Sequence, residues 1–348
     1  MRPAGRHPRQ AHDAVPPRAR HQEPMTSVAF IFPGQGSQFV GMGSALAAAS
    51  PAAAAVFETA DAALDEPISA LAWDGPEDVL NLTENAQPAL LTTSIAYLAA
   101  INERWGAALI AAPAPAFAAG HSMGQYSAMV ATGVLSLADG IRLVRERGRR
   151  MQTSGEDRDG AMAAIIGLDD DRLPELVARA GASGLFVVAN RNAPGQVVAS
   201  GERAAIEAGA EIAKELGARR AIVLPVSVAA HSPLMAEAAF AMREVLGTVD
   251  FATPSTTLLA NADARPLTTG DACRTELVDH LTAGVDWVRA VETMVAAGVD
   301  TFIEVGPGRV LTGLTKRIAA DATVLAVDDP ALPDRLALPF AAPSPGDA

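Results

Sequence analysis

One cysteine, Cys273, stands in the 348 residues. It cannot close an internal disulfide and nothing pairs it into a metal motif, so neither redox nor zinc chemistry is implied, and a reducing, cytoplasmic setting is expected. No stretch approaches the roughly 18 uninterrupted apolar residues of a membrane-spanning helix, and no internal repeat is visible. Basic charge is short: 27 Lys and Arg face 40 Asp and Glu, a formal net charge of −13. That balance repels phosphate backbones and argues against nucleic-acid binding, and against a membrane-surface role nearly as strongly. What is present, 49% hydrophobic and 19% charged residues, is the composition of a soluble globular protein. The length suits one large domain with an insertion or two ordinary ones, either able to bury a sizeable core. Small molecules or proteins are the expected partners.

Charge is unevenly spread. Residues 1–24 hold five arginines against Asp13 and Glu23, a balance of +3, which leaves −16 for the other 324. This Pro-, Arg- and His-rich segment has no apolar run, so it is neither a secretory signal nor a packed helix, and disorder is expected. Met25 directly precedes Thr26-Ser27 and an apolar strand, which makes it a candidate natural start; a transit peptide is the alternative. The Pro-rich stretch 329–348 is likewise read as a loose tail.

Between the tails, strand-like apolar runs alternate with amphipathic stretches, the pattern of an α/β protein. A strand is predicted at Ser27–Phe32, a helix interrupted at Pro51 over Ser44–Leu64, another helix at Glu84–Trp105, and a buried strand leading from Pro113 into Gly120. The middle of the chain reads β-α-β-β-α-β: Ala161–Gly167, Asp169–Ala180, Leu185–Asn192, Gln196–Gly201, Glu202–Gly217 and Arg220–Val226. That order fits a ferredoxin-like unit with four antiparallel strands and two helices on one face. It is placed at 153–224, inserted into a larger α/β unit made of 25–152 and 225–328.

Gly120-His-Ser-Met-Gly124 fits G-x-S-x-G directly after a predicted strand and before a helix. Small residues there permit a sharp turn that presents the Ser122 hydroxyl as a nucleophile, with a helix N-terminus favouring developing negative charge; a glycine-rich turn that merely contains serine is the alternative. The serine needs a base. His7, His12 and His21 lie in the tail, and His121 adjoins Ser122 and is turned elsewhere. His231 sits in the small-residue loop Val228–Pro233 and is the candidate general base, unless it is a satisfied structural histidine. His280, in the helix-like stretch Thr275–Leu281, is expected at the surface or as a cap. In the helix predicted at Leu137–Gln152, Arg147 lies on or beside the apolar stripe Leu137, Ile141, Val144 and Met151, whereas Arg142, Arg145, Arg149 and Arg150 are easily placed in water. A guanidinium in that position is paired, snorkelling, or lining a cavity where its planar fork suits a carboxylate. Gly34-Gln35-Gly36 lacks the spacing and the lysine of a nucleotide cradle; it is either a simple tight turn or one whose glycines let a backbone N–H approach the serine and share an oxyanion hole with the Met123 N–H.

Taken together, Phe32–Gln38, the Gly120–Gly124 elbow, Arg147-Gly148, Gly160–Ala164, Asn190–Gln196, His231, Glu304–Gly308 and Leu311–Lys316 resemble the malonyl-coenzyme A:acyl carrier protein transacylase family, in the family's order from about Val28 to Val327. The resemblance implies an α/β-hydrolase-like large subdomain carrying a ferredoxin-like insertion. It implies malonyl transfer from malonyl-CoA to the phosphopantetheine thiol of acyl carrier protein, in a ping-pong reaction that supplies fatty acid synthesis. Ser122 becomes the nucleophile, His231 the base, Arg147 the malonyl-carboxylate clamp, and the amides of Gln35 and Met123 the oxyanion hole. No cofactor is implied beyond the phosphopantetheine that the partner carries, and a monomer is expected. Met123 and Ala230 resemble malonyl-type members rather than those taking branched units. Two positions depart from the family: Gln125 replaces the usual Glu after the elbow, and Asp286 stands before Trp287, where a backbone carbonyl is expected to orient the histidine. A discrete trans-acting polyketide acyltransferase, a serine esterase or thioesterase, and a non-catalytic docking module are the alternatives. The cluster Arg142–Arg150 offers an acidic carrier or coenzyme phosphates a place to dock, or is simply a solvated helix face.

Overall fold

The computed structural model describes residues 27–107, 114–156, 159–226 and 228–327. The stretches 1–24 and 329–348, and the proposed start at Met25, lie outside them. Eleven strands are described: β1 (Val28–Phe32), β2 (Phe117–Gly120), β3 (Gly160–Ile166), β4 (Phe186–Ala193), β5 (Gln196–Glu202), β6 (Arg220–Val223), β7 (Thr257–Leu259), β8 (Pro266–Leu267), β9 (Val285–Asp286), β10 (Thr301–Glu304) and β11 (Thr323–Ala326).

The larger sheet has the order β11-β10-β1-β2-β7-β8, parallel except for β8, which runs antiparallel to β7. All five residues of β1 are buried, as a strand covered on both faces requires. Phe30 and Phe32 pack under helices Thr83–Ala107 and Leu137–Glu156. Ala29 and Ile31 face Trp287, Met294, Leu311 and Leu314 from the helices on the other side. The helix predicted over Ser44–Leu64 breaks as expected at Pro51, where the Ser50 hydroxyl accepts from the Ala53 N–H at 3.1 Å. Among the described residues no helix is long and apolar enough to cross a membrane.

The second sheet has the order β6-β3-β5-β4-β9. Its first four strands are mutually antiparallel, with helices Leu173–Ala180 and Arg203–Glu215 packed on one face through Leu173, Leu176, Ile206 and Ala213. This is the ferredoxin-like arrangement. Two details differ from expectation. The strand predicted to reach Val226 ends at Val223, since Pro225 has no N–H to extend the ladder. A short fifth strand, β9, comes from the chain beyond the insertion and pairs parallel with β4, joining the two units. The free face of this sheet carries Met162, Ala189 and Val198 and forms one wall of the cavity described next.

Candidate active site

The C-terminal ends of β1 and β2, neighbours in a parallel sheet, point the loops that follow them into one crevice, the usual location of a ligand site in such sheets. The loop after β2 is the elbow. Ser122 has φ 53°, a left-handed conformation strained for serine. The turn tolerates no side chain at either of its glycines: a Cβ on Gly120 would lie 2.0 Å from the Gly124 carbonyl carbon, and one on Gly124 would lie 2.2 Å from the Phe32 oxygen. Two buried amides hold the strained turn. Asn261 Oδ1 accepts from the Ser122 N–H at 2.8 Å while its Nδ2 donates to the Gly120 carbonyl at 3.1 Å. Gln125 Oε1 accepts from the Gly120 N–H at 3.1 Å, and its Nε2 donates to the Leu259 carbonyl at 2.9 Å. The departure at Gln125 thus places an amide that bonds in both directions, whereas an ionised carboxylate would only accept.

His231 meets the serine from the loop that follows the inserted unit. Ser122 Oγ donates to His231 Nε2 at 2.8 Å, and His231 Nδ1 donates to the backbone carbonyl of His280 at 2.6 Å. The second bond fixes the tautomer and leaves the Nε2 lone pair facing the hydroxyl. Burial, and then the charge of Arg147, pull the imidazole pKa down to about 3, so the ring is a neutral acceptor at physiological pH.

Two expectations are corrected here. The carbonyl that orients His231 belongs to His280, not Asp286. The Asp286 N–H donates to the Asn261 carbonyl at 2.7 Å, and its carboxylate caps helix Trp287–Ala296 at the Arg289 N–H, 3.0 Å away. His280 itself is fully buried rather than superficial. Cys273, Glu276, Leu277, His280 and Leu281 share the buried face of helix Gly270–Ala283, and that helical spacing was the available signal.

Arg147 lies where its place on the apolar stripe suggested, 1% exposed. Its Nη1 donates to Gln87 Oε1 at 2.8 Å; its Nη2 donates to Ser122 Oγ at 3.1 Å and to His280 Nε2 at 3.2 Å. The guanidinium stands 5.9 Å from the centre of the Tyr126 ring. No carboxylate among the described residues pairs with it, and burial lowers its pKa to about 10. A buried cation without an anion is costly unless a ligand supplies one. Arg145, expected in water, is instead buried between Asn85 and Glu66. Arg142 pairs with Asp139, Arg149 with Glu84 and Arg150 with Glu146, so the cluster expected to receive an acidic partner is largely neutralised by the protein's own carboxylates.

The Gln35 loop after β1 lies against the elbow: a Cβ on Gly34 would come within 2.5 Å of the His121 carbonyl oxygen. The Gln35 side chain turns aside to Thr83 Oγ1 at 3.3 Å. Among the described residues the backbone N–H groups of Gln35 and Met123 donate to no protein acceptor. Beside the elbow lies a cavity of about 530 Å³, lined by Gln35, Ser122, Arg147, His231 and, from the smaller sheet, Met162 and Val198, with the buried Met123 just outside that lining. His121 is held at its edge by Asn192 Oδ1, 2.9 Å from Nε2.

The buried imidazoles set a pH dependence of stability. The pKa values of His121, His231 and His280 all lie below the ordinary 6.5, chiefly through burial. Below pH 6.5 the unfolded chain therefore takes up protons that the folded protein refuses, and stability falls with pH. Glu276, raised to about 7 by burial, acts in the opposite direction. A His231→Gln variant isolates one contribution: between pH 7 and pH 5 it should lose about 2 kcal/mol less stability than the parent, read from urea unfolding at each pH. Equal losses would remove His231 from the buried neutral set.

A serine on a strand–turn–helix elbow, bonded to a neutral histidine and roofed by a ferredoxin-like unit, defines the class: an acyltransferase built on an α/β-hydrolase-like sheet. The model of the acyl transferase domain family matches residues 29–327. The malonyl CoA-acyl carrier protein transacylase of Escherichia coli strain K12 is 44% identical over 306 residues, spanning 88% of this chain and 97% of that protein. An acyl-carrier-protein-S-malonyltransferase from Bartonella henselae superposes with a TM-score of 0.86 at 41% identity, over 90% of this chain and 99% of that one. A malonyl-transacylase solved in complex with its type II PKS acyl-carrier protein does so with a TM-score of 0.85 at 39% identity, over 90% and 100%. The chain belongs to the malonyl CoA-acyl carrier protein transacylase family.

Proposed function

We propose that this protein transfers a malonyl group from malonyl-CoA to the phosphopantetheine thiol of an acyl carrier protein, through a malonyl ester on Ser122. The observation behind it is the Arg147 guanidinium, buried, without a carboxylate partner among the described residues and 3.1 Å from the serine oxygen. A malonyl carboxylate supplies the missing anion, and its acyl carbon then lies beside Ser122. His231 Nε2 takes the hydroxyl proton as Oγ attacks the thioester carbon. The free N–H groups of Gln35 and Met123 receive the oxyanion, the latter at the N-terminus of helix Gly124–Ala131. As the tetrahedral adduct collapses, the C–S bond breaks and His231 returns the proton to the departing coenzyme A sulfur. The carrier's thiol repeats the steps in reverse: it gives its proton to His231, attacks the ester carbon and releases Ser122.

Base, oxyanion donors and anchor all come from one chain, which supports a monomeric enzyme that needs no cofactor. We propose that it works in the cytoplasm and supplies fatty acid synthesis. The name of the Escherichia coli relative and the carrier bound to the solved transacylase support the two substrates. The competing esterase reading sends the ester to water and has no use for Arg147. With malonyl-CoA and a phosphopantetheinylated carrier present together, nearly all malonyl groups should appear on the carrier, by chromatography of both products. Free malonate as the main product would establish the esterase instead.

A further inference from the structure

Arg147 needs more than burial to serve as a clamp; its fork must face the serine. Two side chains define that orientation. Gln87 Oε1 takes one hydrogen of Nη1 at 2.8 Å, and His280 Nε2 takes one hydrogen of Nη2 at 3.2 Å. We infer that the His280 imidazole is a positioning residue for the carboxylate clamp, accepting from Arg147 so that one N–H on each terminal nitrogen remains for the two oxygens of a substrate carboxylate.

The His280 ring is suited to accept. Its Nδ1–H is committed to the Glu276 carbonyl at 2.9 Å, one helical turn back, so Nε2 carries a lone pair. The ring is fully buried, edge-on to Tyr126 with centroids 6.2 Å apart and 6.0 Å from the His231 ring. Burial together with the neighbouring Arg147 and His231 keeps it neutral, so it does not turn into a donor that would push the guanidinium away. With the site free, the remaining Nη2 hydrogen rests on Ser122 Oγ at 3.1 Å; an arriving carboxylate takes it over, releasing the nucleophile. The same residue's backbone carbonyl holds His231. His280 therefore fixes base and clamp at once, by different atoms, and a side-chain substitution separates the two roles because the carbonyl is retained.

The inference rests on the reading of Arg147 as a carboxylate anchor, and the test separates the two. Single-turnover acylation would be measured with malonyl-CoA and with acetyl-CoA, which has no carboxylate, for the parent, His280→Phe, His280→Gln and Arg147→Ala. His280→Phe keeps a planar ring without an acceptor and should lower the malonyl-to-acetyl ratio of kcat/KM about 10-fold, the loss of one charge-assisted hydrogen bond. His280→Gln restores an acceptor oxygen and should recover most of the malonyl preference. If His280→Phe does not fold, His280→Met, also without a nitrogen acceptor, carries the same expectation. Equal losses with both substrates, or an unaltered malonyl-to-acetyl ratio, would overturn the inference. If Arg147→Ala itself leaves that ratio unchanged, the anchor reading fails as well; if it collapses the ratio while the His280 variants do not, only the role of His280 falls.

Discussion

Ser122→Ala should reduce malonyl transfer by about 10⁴-fold or more, leaving only what a bound but unattacked thioester yields by itself. The size follows from the geometry. Ser122 Oγ lies 2.8 Å from the one imidazole nitrogen free to take its proton and 3.1 Å from the buried guanidinium. The elbow that presents it is pinned by Asn261 and Gln125, with close-packed glycines on either side. Because φ at this position is 53°, alanine retains the strain whereas glycine relieves it. Ser122→Gly should therefore be as inactive as Ser122→Ala and more stable, by about 1 kcal/mol. Steady-state transfer assays and thermal unfolding read the two effects separately. A variant with either substitution that still transfers malonyl at a substantial fraction of the parent rate would dismiss Ser122 as nucleophile.

The second large effect is selective. Arg147→Ala should lower kcat/KM for malonyl-CoA about 10²- to 10³-fold, the range expected when a buried carboxylate loses its only cation. Acetyl-CoA brings no carboxylate, so its transfer loses nothing at the clamp. The base also responds: the charge of Arg147 is the second cause, after burial, of the low His231 pKa, and its removal makes His231 more basic. Acetyl transfer should accordingly hold steady or rise. On the proposed reading, a malonyl carboxylate bound to Arg147 would offset that charge and make His231 more basic in the parent as well. Parallel losses on the two substrates, measured under single-turnover conditions, would show that Arg147 supports the site without selecting the acyl group.

Much of the site was legible because local rules point to it. A G-x-S-x-G segment between a strand and a helix has few other uses, and an arginine three residues after Val144 falls on the buried face of a helix whatever lies opposite. His231 emerged by elimination among few histidines. What stayed hidden depends on elements far apart in sequence. Gln87, 60 residues from Arg147, reads as one polar residue in an apolar helix. Asn261, 139 residues from Ser122, has no local signature at all. The burial of His280 is not legible in Thr275–Leu281, because seven residues of helix do not reveal which face is buried and the full stripe begins only at Cys273. The burial of Arg145 is hidden for the converse reason: an arginine looks solvated until Asn85 and Glu66 are folded against it. The ferredoxin-like unit followed from strand and helix order alone, but its fifth strand, contributed by two residues beyond the insertion, carries no periodicity to detect.

The most direct measurement is rapid-quench mass spectrometry of the protein mixed with malonyl-CoA in the absence of carrier, followed by peptide mapping. A single malonyl adduct per chain is predicted, on the peptide that contains Ser122, formed faster than the acetyl adduct and discharged when phosphopantetheinylated carrier is added. No adduct, an adduct on another residue, or one that the carrier thiol leaves in place would contradict the account.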